Sequence, residues 1–213
     1  MATFNDLVRA IAEIEGMDPM TVRGIGIKIR EAGMISKSGR GLSAARMTVE
    51  DAAALLIGVN GTAMAKDAAE AIHAFRNLRL QLDYGMPTDP GERSEILGES
   101  DPIDRTLKIG TPFQETLVAL LTACVPQEDG TTYLSRRLGS DVSVNITFHR
   151  PVWSASIDIY WEATNEEELP EPWTSAQFVD PPATLLTETG PDRSDSTTIS
   201  ARTLMAVGQI LAT

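Results

Sequence analysis

The chain of 213 residues contains few of the residues from which reactive sites are usually built. It has one cysteine, Cys124, and two histidines, His73 and His149. No cysteine or histidine pair has the spacing of a zinc site. A single cysteine cannot form an intramolecular disulfide, which is typical of the reducing cytoplasm. We therefore expect a non-catalytic, cytoplasmic protein with no catalytic residues, no metal and no cofactor.

Long apolar runs and aromatic side chains are also scarce. No stretch approaches the ~20 apolar residues that span a bilayer, so we expect no membrane association. The first 16 residues, MATFNDLVRAIAEIEG, lack the basic and apolar regions of a signal peptide, and we expect none. Because aromatics make up only 5% of the chain, Leu, Ile, Val, Ala and Met must form most of the core.

Positive charge is scarce everywhere except in one part of the chain. The whole chain has 18 basic and 30 acidic residues, and a net charge of −12 normally disfavours nucleic acid. Residues 20–48, which we call the basic segment, hold six basic residues against Glu31 alone. Residues 51–213 hold 11 basic and 24 acidic residues. This asymmetry of charge indicates that the two parts of the chain have different functions.

The N-terminal part is predicted to be a helical domain of residues 1–82. Apolar residues with helical spacing predict a first helix over 4–15. Asp18 and Pro19 predict the start of a second helix, 19–32, which Gly33 follows. Residues 34–36 and 42–47 are predicted as short strands on either side of a flexible tip, 37–41. Two more helices are predicted over 49–59 and 63–82.

The C-terminal part is predicted to combine helices with an antiparallel sheet. Residues 83–110, rich in Gly, Pro, Ser and acid, are predicted to be a linker or a loop draped over a domain. Thr111 and Pro112 predict a helix start, and Ser200 predicts the start of a last helix. Strict alternation in VSVNITFH and WSASIDIYW predicts two strands joined near Arg150-Pro151, and another strand is expected around 176–179. The predicted fold class is α+β, with residues 111–213 forming an oligomerisation or partner domain.

The basic segment has the residue types that contact DNA phosphates. Cations neutralise phosphate charge, serines donate hydrogen bonds, and glycines let the backbone come close. The candidate DNA-binding residues lie on the second helix, at the tip and on the return strand: Arg23, Lys28, Arg30, Lys37, Ser38, Gly39, Arg40 and Arg46. The alternative is a solvated helix face followed by an ordinary glycine turn.

A resemblance to a known family supports the DNA interpretation. The string IREAGMISKSGRG, followed by LSAARMT, resembles the end of the recognition helix and the wing of winged helix-turn-helix proteins, over roughly residues 4–60. The resemblance implies a winged-helix-like N-terminal domain whose helix 19–32 faces a DNA groove, with Arg23 and Lys28 near bases. It also implies that the wing, 34–47, contacts the backbone through Lys37 and Arg40. The sequence departs from the family pattern because no distinct short helix separates the first two helices.

Two functions remain open at this point. The first is a non-catalytic protein that binds double-stranded DNA as a homo-oligomer, a dimer or higher. Its overall style resembles the DNA-binding proteins of temperate phages and prophages, including small terminase subunits for DNA packaging and repressor-like transcription regulators. The second is an acidic interaction or inhibitor protein. Its acidic C-terminal half, including TNEEELPEP, would bind a basic protein partner in the manner of a nucleic-acid mimic.

Overall fold

The fold combines α-helices with one antiparallel sheet, which confirms the predicted α+β class. A computed structural model describes residues 2–37, 45–84, 103–138, 142–161, 172–180 and 194–213. The helices in this part of the chain are α1 (Phe4–Glu15), α2 (Pro19–Glu31), α3 (Val49–Asn60), α4 (Ala68–Asn77), α5 (Phe113–Ala123), α6 (Tyr133–Leu138) and α7 (Ala201–Ala212). The strands are β1 (Arg79–Tyr84), β2 (Val142–Arg150), β3 (Ser154–Trp161), β4 (Pro172–Val179) and β5 (Asp195–Ser200).

The first two helices begin and end where their local sequence predicts. The Thr3 hydroxyl accepts the amide of Asp6 and the Asp6 carboxylate accepts the amide of Thr3, so a capping box starts α1. The Asp18 carboxylate caps α2 by accepting the amide of Thr21 at 3.0 Å. At the end of α2, Gly33 adopts φ 76°, and its positive φ allows the chain to turn away from the helix axis.

The five strands form one sheet in the order β1-β4-β3-β2-β5, and every neighbouring pair is antiparallel. The predicted hairpin is confirmed, since β2 and β3 pair from Val142 opposite Trp161 to His149 opposite Ser154. The predicted strand near 176–179 is also confirmed and is the end of β4. One side of the sheet buries its apolar side chains against the helices, including Val144, Ile146, Phe148, Ala155, Ile157, Ile159 and Phe178.

One hydrophobic cluster joins the N-terminal helices to the sheet and to the later helices. The ring of Phe75 on α4 lies 6.0 Å from that of Phe113 on α5 and 5.3 Å from that of Phe148 on β2. The first helix packs against the last, α7, and α3 packs against α5. The core is therefore continuous across the predicted boundary at residues 83–110, although the position of that boundary stays a prediction.

Two predicted helix features differ from the structure. The helix predicted over 63–82 is wrong in extent, because α4 ends at Asn77 and residues 79–84 pair with β4 as strand β1. The N-cap position of α5 is Pro112 rather than Thr111, so the helix begins at Phe113 without a side-chain cap. The carbonyl of Thr111 accepts the amide of Leu80 at 3.0 Å. The segment predicted as a linker or a draped loop contains two buried side chains, Ile103 and Leu107, and an exposed one, Ile109.

The predicted strands of the wing are not found in the described residues. Residues 34–37 and 45–48 contain no strand, and residues 38–44 lie outside the described part of the chain. Each of these two segments instead forms a hydrogen bond with another part of the N-terminal region. The amide of Met47 donates to the carbonyl of Ala2 at 3.0 Å, and Arg76 Nη2 donates to the carbonyl of Met34 at 3.3 Å.

Candidate nucleic-acid interface

Helix α2 has one face in the core and one face in solvent. Its buried residues are Val22, Ile25, Gly26 and Ile29, which recur at the three- and four-residue spacing of one helical face. On the opposite side, Met20 and Ile27 are 71% and 38% exposed. Arg23 is also exposed. This face therefore presents a cation between two exposed apolar side chains.

Two of the predicted DNA-binding cations on α2 are engaged within the protein. Lys28 Nζ lies 2.7 Å from Glu31 Oε2, in an exposed pair that salt would screen. The guanidinium of Arg30 stacks on the ring of Phe4, with its central carbon 3.9 Å from the ring centroid. Nε and Nη2 of Arg30 are buried and have no hydrogen-bond partner in the described part of the chain. Arg30 is therefore held against α1 by its stacking, with part of its guanidinium withdrawn from solvent.

Three other predicted cations are exposed and unengaged. Arg23, Lys37 and Arg46 are exposed. Within the described part of the chain, none of their side chains has a hydrogen bond or an ion pair. No described residue therefore competes with a ligand for these three charges. The predicted tip residues Ser38, Gly39 and Arg40 lie outside the described residues.

A cleft of about 240 Å³ brings part of this set together between α1, α2 and the chain before α3. Arg23 and Arg30 both line it, as does Ala45, which directly precedes Arg46. Its other walls are the first turn of α1, with Thr3, Phe4 and Asn5, and the side chain of Ile27. At this helix end the carboxylate of Asp6 already accepts the amide of Thr3 at 3.0 Å. The cleft therefore brings two arginines together beside a capped helix start, and the arginines are the groups in it that attract anions.

Sequence reasoning missed two residues that shape this surface. The ring of Phe4 supports the guanidinium of Arg30 in addition to packing in the core. The carboxylate of Asp51 accepts the amide of Ser36 at 2.8 Å in addition to its part in the capping box of α3. The spacing of Thr48 and Asp51 indicates the capping role. No sequence signal marks the second role, because Ser36 lies 15 residues away.

The one cysteine and the two histidines do not form a common reactive site in the described part of the chain. Cys124 is buried, and burial raises the pKa of its thiol to about 12, which keeps it protonated and unreactive near neutral pH. His73 lies exposed on α4 and His149 lies at the end of β2. In the described ranges, no three His, Cys, Asp or Glu side chains come close enough together to hold a metal ion. No helix there has the length and apolarity needed to cross a membrane.

A second, larger cleft of about 610 Å³ lies where α1 and α3 end against β5 and α7. Glu15 and Asn60 line one side of it, and Arg150 and Arg202 line the other. Asn60 Nδ2 donates to Glu15 Oε1 at 3.2 Å. Burial raises the pKa of the Glu15 carboxyl, and the hydrogen bond from Asn60 offsets part of that rise. Acidic and basic side chains both line this cleft, so it does not favour ligands of one charge.

Comparison with known proteins gives no further guidance on this site, since no family model, no curated protein and no solved structure matches the chain.

Proposed function

We propose that this chain is a non-catalytic, cytoplasmic DNA-binding protein that contacts duplex DNA through α2 and residues 34–47. The observation that carries the proposal is a set of three exposed cations in a chain whose net charge is −12. These are Arg23, Lys37 and Arg46, whose side chains have no partner among the described residues. Arg23 lines a cleft that also has Arg30 in its walls. Phosphates bind to arginine side chains, and they do so in a salt-dependent way.

The candidate residues differ in whether other described residues engage them, and this difference supports assigning them different roles. Arg23, Lys37 and Arg46 are offered as direct phosphate contacts because nothing in the described chain competes for them. Lys28 would have to break its ion pair with Glu31 before it could contact a phosphate. Arg30 would add positive charge to the DNA-facing surface from its fixed position on the ring of Phe4. Gly24, on the exposed side of α2, has no atom within 4 Å of the place where a Cβ would stand. A DNA backbone could therefore approach the helix closely at that point.

The proposal includes the biological setting suggested by the sequence. A regulator or DNA-packaging protein of a phage or prophage would bind as a homo-oligomer, since such proteins commonly place two copies on related half-sites. The acidic remainder of the chain would repel DNA from every surface except the cationic one. Sedimentation of the purified protein with and without duplex would measure the oligomeric state.

The test compares two triple variants that remove the same charge. Arg23→Ala/Lys37→Ala/Arg46→Ala removes the proposed contacts, and Arg105→Ala/Lys108→Ala/Arg202→Ala removes two arginines and one lysine from exposed positions elsewhere. Fluorescence anisotropy with a labelled mixed-sequence duplex over a range of salt concentrations gives the affinity and its salt slope. At ~0.9 per phosphate contact, the first variant should lose up to about 2.7 from the log–log slope, and the second should lose little.

Equal effects of the two variants would contradict the proposal, because net charge rather than a defined surface would then set the affinity. Absence of binding by the wild type at low salt would contradict it outright. In that case the acidic alternative is tested by changing Glu166, Glu167 and Glu168 to glutamine and measuring retention of a basic protein partner. Those three residues lie outside the described part of the chain.

A further inference from the structure

Thr203, in the first turn of α7, is a buried polar residue that lines the larger cleft. The residue is 5% exposed, and its hydroxyl has no hydrogen-bond partner in the described part of the chain. Buried hydroxyls in folded proteins are usually hydrogen-bonded, because leaving one without a partner is unfavourable. The oxygen of Thr203 is not fully enclosed by protein, so the hydroxyl opens on the cleft and is available to a ligand there.

Two further groups of donors line the same side of the larger cleft. Arg150 Nη2 donates to the hydroxyl of Thr197 at 3.2 Å, but Nε of that guanidinium is buried without a partner among the described residues. Ser200 is at the N-cap position of α7, yet its side chain does not cap this 12-residue helix. The first amides of α7 therefore keep their partial positive charge. Guanidinium, hydroxyl and helix-start amides together form a set of donors that a carboxylate can accept from.

The opposite side of the larger cleft carries an acid without a cationic partner. Glu15 is half-buried at the end of α1, and its Oε1 accepts Asn60 Nδ2 at 3.2 Å. Among the described residues, no basic side chain forms an ion pair with it. Burial raises the pKa of the Glu15 carboxyl, whereas a cation bound beside it would favour the charged form. An ammonium group of a ligand would therefore have a partner at this side.

The rest of the larger cleft suits the apolar part of a small molecule. Ile14, Met17 and Val59 contribute apolar side chains to its walls. Its volume of about 610 Å³ is within the range of ~300–1,000 Å³ that is typical of ligand pockets. We propose that the larger cleft binds a small amino carboxylate, with the carboxylate at the start of α7 and the ammonium group at Glu15. Such a ligand carries both charges, as a cleft lined by acidic and basic residues requires.

This inference does not rest on the proposed DNA-binding function. The smaller cleft is lined by the first turn of α1, and the larger cleft is lined by its last turn. A helix of 12 residues places these two ends about 18 Å apart. The two sites also take different ligands, so failure of one proposal leaves the other unaffected.

The first test compares amino carboxylates with analogues that lack one of the two charges. Glycine, 4-aminobutyrate and 6-aminohexanoate differ in the distance between ammonium and carboxylate, so the series identifies the length that fits. Isothermal titration calorimetry at low ionic strength compares the tightest of them with the carboxylate and the amine of the same chain length. The amino carboxylate should bind about tenfold more tightly than either analogue, because only it meets both sides of the cleft. Absence of binding by the series, or equal binding by an analogue, would overturn the proposal.

Thr203→Val tests the carboxylate end, because it removes the hydroxyl and keeps the branched shape of the side chain. No described partner loses a hydrogen bond, so the variant should melt at no lower a temperature than the wild type. Its affinity for the amino carboxylate and for the carboxylate analogue should fall roughly tenfold, the effect of losing one hydrogen bond to a charged group. Thr122→Val is the matched control, since Thr122 is exposed on α5 and its hydroxyl donates to Val118 of the same helix. Wild-type affinity in Thr203→Val would overturn the placement of the carboxylate at α7.

Glu15→Gln tests the ammonium end and keeps an oxygen that can accept from Asn60. In this variant the amino carboxylate should bind only as tightly as its carboxylate analogue, because the ammonium group loses its charged partner. Glu13→Gln is the control, since Glu13 is exposed on the same last turn of α1. A preference for the amino carboxylate that persists in Glu15→Gln would overturn the assignment of Glu15. The two test substitutions lie on different helices, so a folding defect in one leaves the other as a test of the cleft.

Discussion

At the scale of single residues, Glu15 combines partial burial with one hydrogen bond from Asn60. Burial disfavours the charged form of a carboxyl group and raises its pKa above that of the unfolded chain. The folded state then binds a proton more tightly than the unfolded state does. The stability that this provides is fully present below the unfolded pKa of ~4.3 and is lost as the pH rises through the folded pKa.

We therefore expect Glu15→Gln to raise the melting temperature at pH 7, with an advantage that disappears below about pH 4. The neutral amide avoids the cost of burying a charge and keeps an oxygen that can accept from Asn60. Glu13→Gln is the matched control, because Glu13 is exposed on the same last turn of α1. Thermal unfolding of both variants from pH 3 to pH 8 measures the effect. A Glu15→Gln protein that is less stable than the wild type at every pH would contradict this account.

The candidate cations could be identified from the sequence, but most of their partners could not. Lys28 and Glu31 are three residues apart on a helix, and such pairs can be anticipated from spacing alone. Arg30 and Phe4 come together only because α1 packs on α2. Which cations stay available to a ligand therefore depends on tertiary contacts that a single sequence does not reveal.

At the scale of elements, the two glycines within α2 have different environments. A Cβ on Gly26 would lie 2.6 Å from the ring of Phe4 and 3.2 Å from Leu55 Cδ1. A Cβ on Gly24 would have no atom within 4 Å. Gly26 thus allows α2 to pack closely on its neighbours, and Gly24 has no such packing role in the described protein.

This difference predicts opposite effects on the free energy of unfolding. Gly24→Ala should stabilise the protein by about 0.5–1 kcal/mol, because alanine loses less backbone entropy in a helix. Gly26→Ala should destabilise it by about 1–3 kcal/mol through overpacking against Phe4. Urea unfolding measures both values. If DNA approaches α2 at Gly24, the stabilised variant should also bind the duplex less tightly. A destabilised Gly24→Ala protein would mean that the helix is packed differently.

Elements with a strong local pattern were predicted, and elements formed by pairing were not. Strands β2 and β3 alternate strictly between apolar and polar residues, so their hairpin was evident. The helical spacing of Ile72 and Phe75 continues through Leu78 and Leu82, so the sequence alone extends the helix over residues 79–84. Only the pairing of those residues with β4 makes them strand β1. Strand β5 is short and polar, DSTTIS, and is defined by its pairing with β2. Non-local pairing overrides the local helical pattern in β1, and in β5 it selects a short polar segment that the apolar pattern does not mark.

At the scale of the whole molecule, the N-terminal helices share their core with the later part of the chain. The ring of Phe75 is fully buried and lies 5.5 Å from that of Trp153, in addition to its contacts with Phe113 and Phe148. All three partners follow the predicted boundary at residues 83–110. The face of α1 that packs on α7 would likewise face water in a fragment without the C-terminal part.

We therefore expect the fragment of residues 1–82 to unfold without the cooperative urea transition of the full chain, because it would expose Phe75 and the covered face of α1. Circular dichroism during urea unfolding measures this. A complementary experiment inserts a protease site between residues 84 and 103 and cleaves the folded protein. Pieces with a shared core should remain associated on size exclusion and unfold together. If they instead separate as two folded pieces, the predicted two-domain organisation is correct, and the duplex-binding surface could then be studied on residues 1–82 alone.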